Sequence, residues 1–156
     1  MIRVIDRALL DGLAAAAASL PRQRKNHNFH PADAFPCHRM INAIEPGSYV
    51  RPHRHLDAFK DETMVCLRGR FGVVVFDEGG RAVHTLVMAP GGDTLGVDIP
   101  HGVYHTLVAL DPGSAILEAK AGPYQPLAEH EMAPWAPAEG SAAAVPYLDG
   151  LRRFFP

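Results

Sequence analysis

The sequence predicts a mainly β, single-domain fold, built as an antiparallel sandwich or barrel. From residue 37 to residue 121, short apolar or alternating runs are separated by turn signals about every ten residues, as such folds require. Val and Ile are frequent in these runs and favour β-sheet. A chain of 156 residues can bury a core of its own, and a net charge of -2 argues against a wholly basic nucleic-acid-binding protein.

A helix is predicted before the strands. Asp6 can cap an Ala- and Leu-rich helix, and Pro21 ends this pattern near Leu20. The basic segment 22–31 shows no clear period and is predicted to be a loop. We therefore expect residues 1–36 to pack on the barrel as an N-terminal helix followed by a basic loop.

The barrel itself is expected to span residues 37–121. Its predicted strands are CHRMINAI, SYVRPH, ETMVCL, RFGVVVF, AVHTLVM, TLGVDI, YHTLVAL and SAILEAK, separated by turns rich in Gly and Pro. Residues 122–156 are rich in Pro and Ala and are expected to wrap around the outside, with a short helix at YLDGLRRFF.

The sequence shows no sign of secretion or of membrane insertion. The N-terminus lacks a basic start with an apolar core, and no run approaches the roughly 18 apolar residues of a membrane span. Cys37 and Cys66 are too few for a disulfide framework. We expect a soluble, cytoplasmic protein that binds a small molecule but neither nucleic acid nor a membrane. Exposed barrel edges also favour a homodimer.

The stretch RPHRH at residues 51–55 carries two histidines on one face. Residues two apart in an extended strand project to the same side, so His53 and His55 can both point into one cavity. Glu62 opens the next predicted strand, and His105 begins a later one. Three imidazoles and one carboxylate suit a divalent transition metal, and ligand type alone does not choose among zinc, iron, manganese, nickel and copper.

These residues resemble the two signature motifs of the cupin superfamily, GxxxxxHxH followed by E and G, and PxGxxH. The matching residues are Gly47, His53, His55, Glu62 and Gly69 in the first motif, and Pro100, Gly102 and His105 in the second.

The sequence departs from the cupin pattern at two places. Six residues separate His55 from Glu62, where three or four are usual, and Ala109 stands where many members have Asn. Because of the longer spacing, Asp57 and Asp61 are alternative carboxylates to Glu62.

The flanking segments resemble a narrower group, the WbuC-type cupin-fold metalloproteins, which are small bacterial proteins sometimes encoded among polysaccharide genes. The likeness lies in NHNFH, INAIEPGSYVRPHRH, LRGRFGVVVFDEGG, IPHGVYHTLVALDPGS, AGPY and WAPAEG, and so spans nearly the whole chain. It implies a double-stranded β-helix, the cupin jelly-roll barrel, with a bound metal. The resemblance assigns no reaction.

Several residues near these motifs are candidate contacts for an anionic or polar substrate. The basic N-terminal segment could lie across the mouth of the barrel, although a solvated linker is the default for such a run. Forked arginine donors could hold a carboxylate or phosphate, or could simply lie at the surface. A tyrosine beside a ligand histidine could contact substrate or pack in the core. The candidates are Arg24, His27, Asn28, His30, Arg51 and Tyr104.

Two functions fit these residues. The first is a metal-dependent enzyme, an isomerase, epimerase or oxygenase, acting on a small polar or anionic metabolite such as a sugar or sugar phosphate of surface polysaccharide metabolism. Glu62 and His105 are then the candidate catalytic groups, since either could move a proton beside the metal. The second is a non-catalytic module that binds a carbohydrate or nucleotide sugar through the metal. A metal that only stabilises the barrel is a third possibility.

Overall fold

Two antiparallel β-sheets face each other in the computed structural model, which describes residues 1–155. The strands are β1 (Arg24–Asn28), β2 (Cys37–Ile44), β3 (Glu62–Arg68), β4 (Phe71–Phe76), β5 (Ala82–Met88), β6 (Gly96–Ile99), β7 (Tyr104–Ala109) and β8 (Ser114–Ala121). One sheet has five strands in the order β1-β2-β8-β3-β6, and the other has three in the order β5-β4-β7. The architecture is mainly β, as predicted.

The N-terminal helix α1 runs over Arg7–Ser19 and covers the outer face of the five-stranded sheet. The Asp6 carboxylate accepts the backbone N–H of Leu9 at 2.9 Å, so the predicted N-cap is present. Leu10 and Leu13 point towards the sheet and are buried there. No helix within residues 1–155 is both long enough and apolar enough to cross a membrane.

Apolar side chains from both sheets fill one end of the space between them. Met64 and Ile116 come from the five-stranded sheet, and Phe71, Val73 and Leu107 come from the three-stranded sheet. This packing holds the two sheets together and leaves the opposite end of the interior for polar residues.

The C-terminal segment covers the outer face of the three-stranded sheet. It contains a 3₁₀ turn at Glu129–Glu131 and the helix α2 at Ala144–Arg152. Leu148 of α2 packs in one cluster with Val74 and Val108 of the sheet. The tail therefore wraps around the barrel as predicted. The helix is shifted from the expected residues 147–155.

The basic segment predicted as a loop contains a strand instead. Residues Arg24–Asn28 form β1, which pairs with β2 so that Asn26 lies opposite Asn42. A short polar edge strand leaves no hydrophobic period in the sequence, which is why the pattern did not reveal it. The barrel sheet thus begins at Arg24 and not at residue 37.

The predicted strand at residues 48–53 does not form a continuous ladder. Only His53 makes isolated bridges, one to His105 and one to Met132. Pro52 has no N–H to donate, which removes a ladder hydrogen bond at this position. This irregular segment nevertheless carries the first histidine of the site.

Candidate metal centre

Backbone pairing brings the two histidine motifs together. The N–H of His53 donates to the carbonyl of His105 at 3.1 Å, and the N–H of His105 donates to the carbonyl of His53 at 2.9 Å. Their ring centroids lie 4.8 Å apart. Two residues more than fifty positions apart in the sequence therefore present neighbouring imidazoles to the same cavity.

Backbone carbonyls fix the protonation of these two rings. Nδ1 of His53 lies 2.9 Å from the carbonyl oxygen of Arg51, and Nδ1 of His105 lies 2.9 Å from that of Val103. A carbonyl can only accept a hydrogen bond, so each Nδ1 must donate. This arrangement is the usual one for metal-binding histidines, because it leaves Nε2 for a proton or a metal ion.

Glu62, the first residue of β3, places its buried carboxylate between the imidazoles. Oε1 lies 2.8 Å from Nε2 of His55, and Oε2 lies 3.2 Å from Nε2 of His105. Potential ligand atoms of His53, His55 and Glu62 all lie within 4.8 Å of one another. The two sequence motifs therefore converge on one cluster of nitrogen and oxygen donors.

The extra residues between His55 and Glu62 form a turn at residues 57–60. The N–H of Lys60 donates to the carbonyl of Asp57 at 2.9 Å, and the Asp57 carboxylate accepts the N–H of Phe59 at 3.0 Å. The Asp61 carboxylate is directed to His101, whose backbone N–H and Nδ1 both lie 2.8 Å from it. Glu62, and neither Asp57 nor Asp61, is thus the carboxylate that reaches the imidazoles.

The surroundings of His53 and Glu62 favour the protonation states in which these two side chains can bind a metal ion. Burial, followed by the neighbouring His105, lowers the pKa of His53 to about 3, so this ring is neutral at pH 7. Burial opposes ionisation of Glu62, but hydrogen bonds from His105 and His55 and the charge of Lys120 outweigh it and hold the pKa of Glu62 well below its usual range. A neutral imidazole and an ionised carboxylate are the forms that bind metals.

The sequence analysis missed Lys120 and Glu118, two buried charged residues beside this cluster. Nζ of Lys120 lies 2.7 Å from a Glu62 oxygen and 2.8 Å from a Glu118 oxygen. Burial raises the pKa of Glu118, with Lys120 opposing that rise. Lys120 itself has a raised pKa, because the two carboxylates outweigh its burial. The available signal was the alternation of Ile116, Glu118 and Lys120 in the run SAILEAK, which places two charges on the inward face.

The cluster opens into a cavity of about 270 Å³, which we call the metal cavity. Its polar lining includes Arg24, Asn42, Glu62, His105 and Lys120. The Nδ2 group of Asn42 donates to Glu118 at 2.5 Å, while its Oδ1 is buried and has no partner within residues 1–155. The cavity can therefore offer charged groups of both signs and hydrogen bonds to a ligand.

Of the predicted substrate contacts, Arg24, Asn28 and His30 lie at cavities. Arg24 lines the metal cavity, and Asn28 and His30 line the cavity beside it. His27 alternates with these residues along β1, and its ring packs edge-on against Phe29, 5.0 Å away. The structure thus places His27 away from the candidate ligand space.

Arg51 and Tyr104 line neither of these two cavities. Arg51 donates to the carbonyl of Ala133 in the C-terminal segment at 3.0 Å. The Tyr104 ring packs 5.9 Å from Trp135 and lies 4.3 Å from the guanidinium carbon of Arg54. Tyr104 alternates with His105 on β7 and so lies on the outer face, while the contact of Arg51 with Ala133 directs its side chain to the C-terminal segment.

A family model described as a domain of unknown function, DUF6016, matches residues 5–88, more than half of the chain. The chain belongs to the DUF6016 family. No curated protein matches the sequence of this DUF6016 member.

Solved structures share the fold of this DUF6016 chain at low sequence identity. KdgF from Halomonas sp. is 19% identical with a TM-score of 0.52, covering 69% of this chain and 85% of its own. The conserved SPY1581 protein of unknown function from Streptococcus pyogenes is 13% identical with a TM-score of 0.53, covering 80% and 91%. Pumpkin seed globulin is 20% identical with a TM-score of 0.52, covering 67% and 28%. These likenesses confirm the cupin jelly-roll fold.

Proposed function

We propose that this protein binds a divalent transition metal through His53, His55, Glu62 and His105 and is an enzyme acting on a small polar or anionic metabolite. The observation that carries the proposal is the convergence of the donor atoms of His53, His55 and Glu62 within 4.8 Å of one another. A cation held there would polarise a carbonyl or hydroxyl group and lower the pKa of bound water or substrate.

The donor set fits such an ion. Imidazole nitrogens with one carboxylate oxygen suit zinc, iron, manganese or nickel. The backbone carbonyls that accept from Nδ1 of His53 and His105 orient both rings, and hydrogen bonds of this kind to a ligand histidine raise metal affinity. Nε2 of His105 lies 3.2 Å from Glu62, so these two residues are also the best-placed groups to hold or move a proton.

A bound cation would make the cavity attractive to an anionic substrate. Arg24 and Lys120 line the cavity together with Glu62 and Glu118, so these charges balance and the metal ion would supply the excess positive charge. Sugar acids and sugar phosphates combine an anionic group with hydroxyls, and the resemblance to WbuC-type proteins suggests a link to surface polysaccharide metabolism. Isomerisation, epimerisation and oxygenation are the reaction classes to examine.

Elemental analysis of untagged protein after loading with zinc, iron, manganese or nickel tests the proposal. We expect one ion per chain in the wild type, and at least tenfold weaker retention in His53→Ala and His105→Ala. His84→Ala, which changes an exposed histidine of β5, is the matched control and should retain the ion. Unchanged metal affinity in the first two variants would refute the ligand assignment.

Substrate conversion separates the enzyme from a binding module. Incubating the metal-loaded protein with sugar acids and sugar phosphates should give a changed product by nuclear magnetic resonance, with oxygen consumption if the reaction is an oxygenation. A ligand that stabilises the protein and is never converted would instead identify a metal-dependent carbohydrate or nucleotide-sugar binding module.

We also propose that the protein is a homodimer. The edge strands β5 and β6 each pair on one side only, and Val83 and Leu95 beside them are about half exposed. Pairing or covering such edges removes unpaired backbone groups and apolar surface from water. Light scattering at micromolar concentration should give twice the chain mass, and a monomer would refute the proposal.

A further inference from the structure

A second cavity adjoins the metal cavity on the side of β1. It measures about 280 Å³, similar to the metal cavity at about 270 Å³. Asn26, Glu118 and Lys120 line both cavities, so the two spaces share a wall of polar side chains. Together they reach the size of a typical small-molecule site, roughly 300–1,000 Å³.

Hydrogen-bonding groups dominate the lining of this second cavity. Asn26 and Asn28 are alternate residues of β1 and both line it. Each side-chain amide offers donors and an acceptor, and both residues are exposed. Their strand partners in β2 are Asn42 and Met40. The edge strand therefore presents two exposed amides to whatever occupies this space.

Two buried imidazoles line the same cavity. The rings of His30 and His38 are stacked, with centroids 3.8 Å apart and planes 11° apart. Nε2 of His38 lies 3.0 Å from the carbonyl oxygen of Asp33, so it donates there and leaves Nδ1 as an acceptor. These rings are held rigidly, and they add oriented polar atoms to the adaptable amides.

An aromatic ring stands at the rim of the cavity. Tyr124 is 55% exposed, although its backbone N–H is held by the carbonyl of Asp33 at 2.7 Å. An exposed ring face next to polar groups can pack against the C–H bonds of a ligand that also carries hydroxyls. An entirely apolar ligand would leave the surrounding amides and imidazoles without partners, which costs binding free energy.

We propose that this second cavity is a glycosyl-binding subsite and that the ligand is an acidic saccharide of at least two units. The inference rests on the proposed function, since the acidic unit would lie at the metal cluster and Lys120. The neighbouring unit would lie among Asn26, Asn28 and the stacked histidines. Hydroxyl groups both donate and accept hydrogen bonds, which matches this lining.

Calorimetry with metal-loaded protein tests the subsite by comparing one-unit and two-unit acids. Gluconate is the one-unit probe, and lactobionate and maltobionate are gluconate extended by one hexose. We expect at least one extended acid to bind about tenfold more tightly than gluconate, which corresponds to about 1.4 kcal/mol. In Asn28→Ala, which changes a residue that lines the second cavity but not the metal cavity, this gain should fall to about threefold or less while the affinity for gluconate changes less than twofold.

The control is Thr85→Ala, a substitution at an exposed position of β5 that should leave all affinities unchanged. Equal binding of gluconate and both extended acids by the wild type would overturn the subsite and leave the proposed function standing. An equal loss of gluconate and disaccharide affinity in Asn28→Ala would also overturn it, because this amide would then serve the metal cavity. Metal binding without binding of any of these acids would overturn the subsite together with the proposed sugar-acid substrate.

Discussion

The same strands line the two ends of the barrel interior with opposite chemistry. Along β7, Nε2 of His105 lies 3.2 Å from Glu62, and Leu107, the next inward residue, lies in the apolar core. Along β8, Ile116 lies in the core and Lys120 lies beside Glu62. Only one or two inward positions therefore separate a hydrophobic core from a cluster of ionisable groups.

The two ends of the interior have different roles, because the apolar end stabilises the fold and the polar end holds the ionisable groups. Burying a carboxylate or an ammonium group is costly unless each is paired, and Glu62, Lys120 and Glu118 satisfy one another. The apolar end buries side chains such as Phe71, which is fully buried. Hydrophobic burial at one end therefore stabilises the frame on which the polar end is held in position.

The largest expected effect breaks the apolar end. Phe71→Ala removes a fully buried ring from the core cluster, and such truncations cost about 4 kcal/mol of unfolding free energy. Urea denaturation of the metal-free protein should show this loss. The variant that remains folded should still bind one metal ion per chain, because no metal ligand is changed. A small stability loss would mean that the interior core does not hold the barrel together.

The next effect breaks the polar end. Lys120→Met leaves Glu62 and Glu118 without their shared cation, and breaking a buried ion pair costs about 3 kcal/mol. We expect this loss in the metal-free protein and a smaller loss in the metal-loaded protein, because a bound cation would compensate the charge of Glu62. Denaturation with and without metal measures the difference. Arg81→Met, at an exposed ion pair, is the control.

An equal loss in both states would show that Lys120 stabilises the barrel independently of the metal cluster. Lys120 would then contribute to the packing of the barrel, and on β8 the apolar end would extend as far as Lys120.

The two ends also differ in how far the sequence revealed them. Strands and helix α1 of the apolar frame follow from β-branched runs, Ala and Leu, and the Asp6 cap. Alternation indicated that His53 and His55 share a face, and the resemblance to the cupin motifs implied that Glu62 and His105 join them. These features are local or belong to a short motif, so a single sequence carries them.

The remaining parts of the site depend on pairing between distant segments. Strand β1 is polar and is formed by its pairing with β2, so no period marks it in the sequence. Lys120 reaches the cluster because β8 lies between β2 and β3, with Lys120 opposite Glu62. The outward position of Tyr104 follows from its alternation with His105, but the contacts of Tyr104 and Arg51 with the tail depend on how the C-terminal segment folds back.

A smaller effect is expected in the pH dependence of stability, to which His53 of the polar end contributes and the apolar end does not. The pKa of His53 is about 3 in the folded protein against about 6.5 in an unfolded chain, so folding is favoured most above pH 6.5. As pH falls below 6.5, only the unfolded chain takes up this proton, and stability falls by up to about 1.4 kcal/mol per pH unit. Metal-free wild type should therefore lose stability more steeply than His53→Gln between pH 6.5 and 5.

Glu62 does not contribute to this change between pH 6.5 and 5. Because the pKa of Glu62 is lowered in the folded protein, its contribution to stability is lost only as the pH falls below the ordinary value near 4.5. Parallel stability curves for the wild type and His53→Gln from pH 6.5 to 5 would show that His53 is solvated in the metal-free protein. The polar end would then be open to water, unlike the apolar end.

The smallest expected effect lies at the boundary between the two ends. Met64 belongs to the apolar cluster and also lines the metal cavity, and it is 2% exposed. Met64→Leu conserves volume, and such core substitutions cost less than about 1.5 kcal/mol. We expect nearly unchanged metal content by elemental analysis and a small shift in the urea midpoint. A large loss of metal with little loss of stability would instead place Met64 with the polar end, because its side chain would then be positioning Glu62 two residues away on β3.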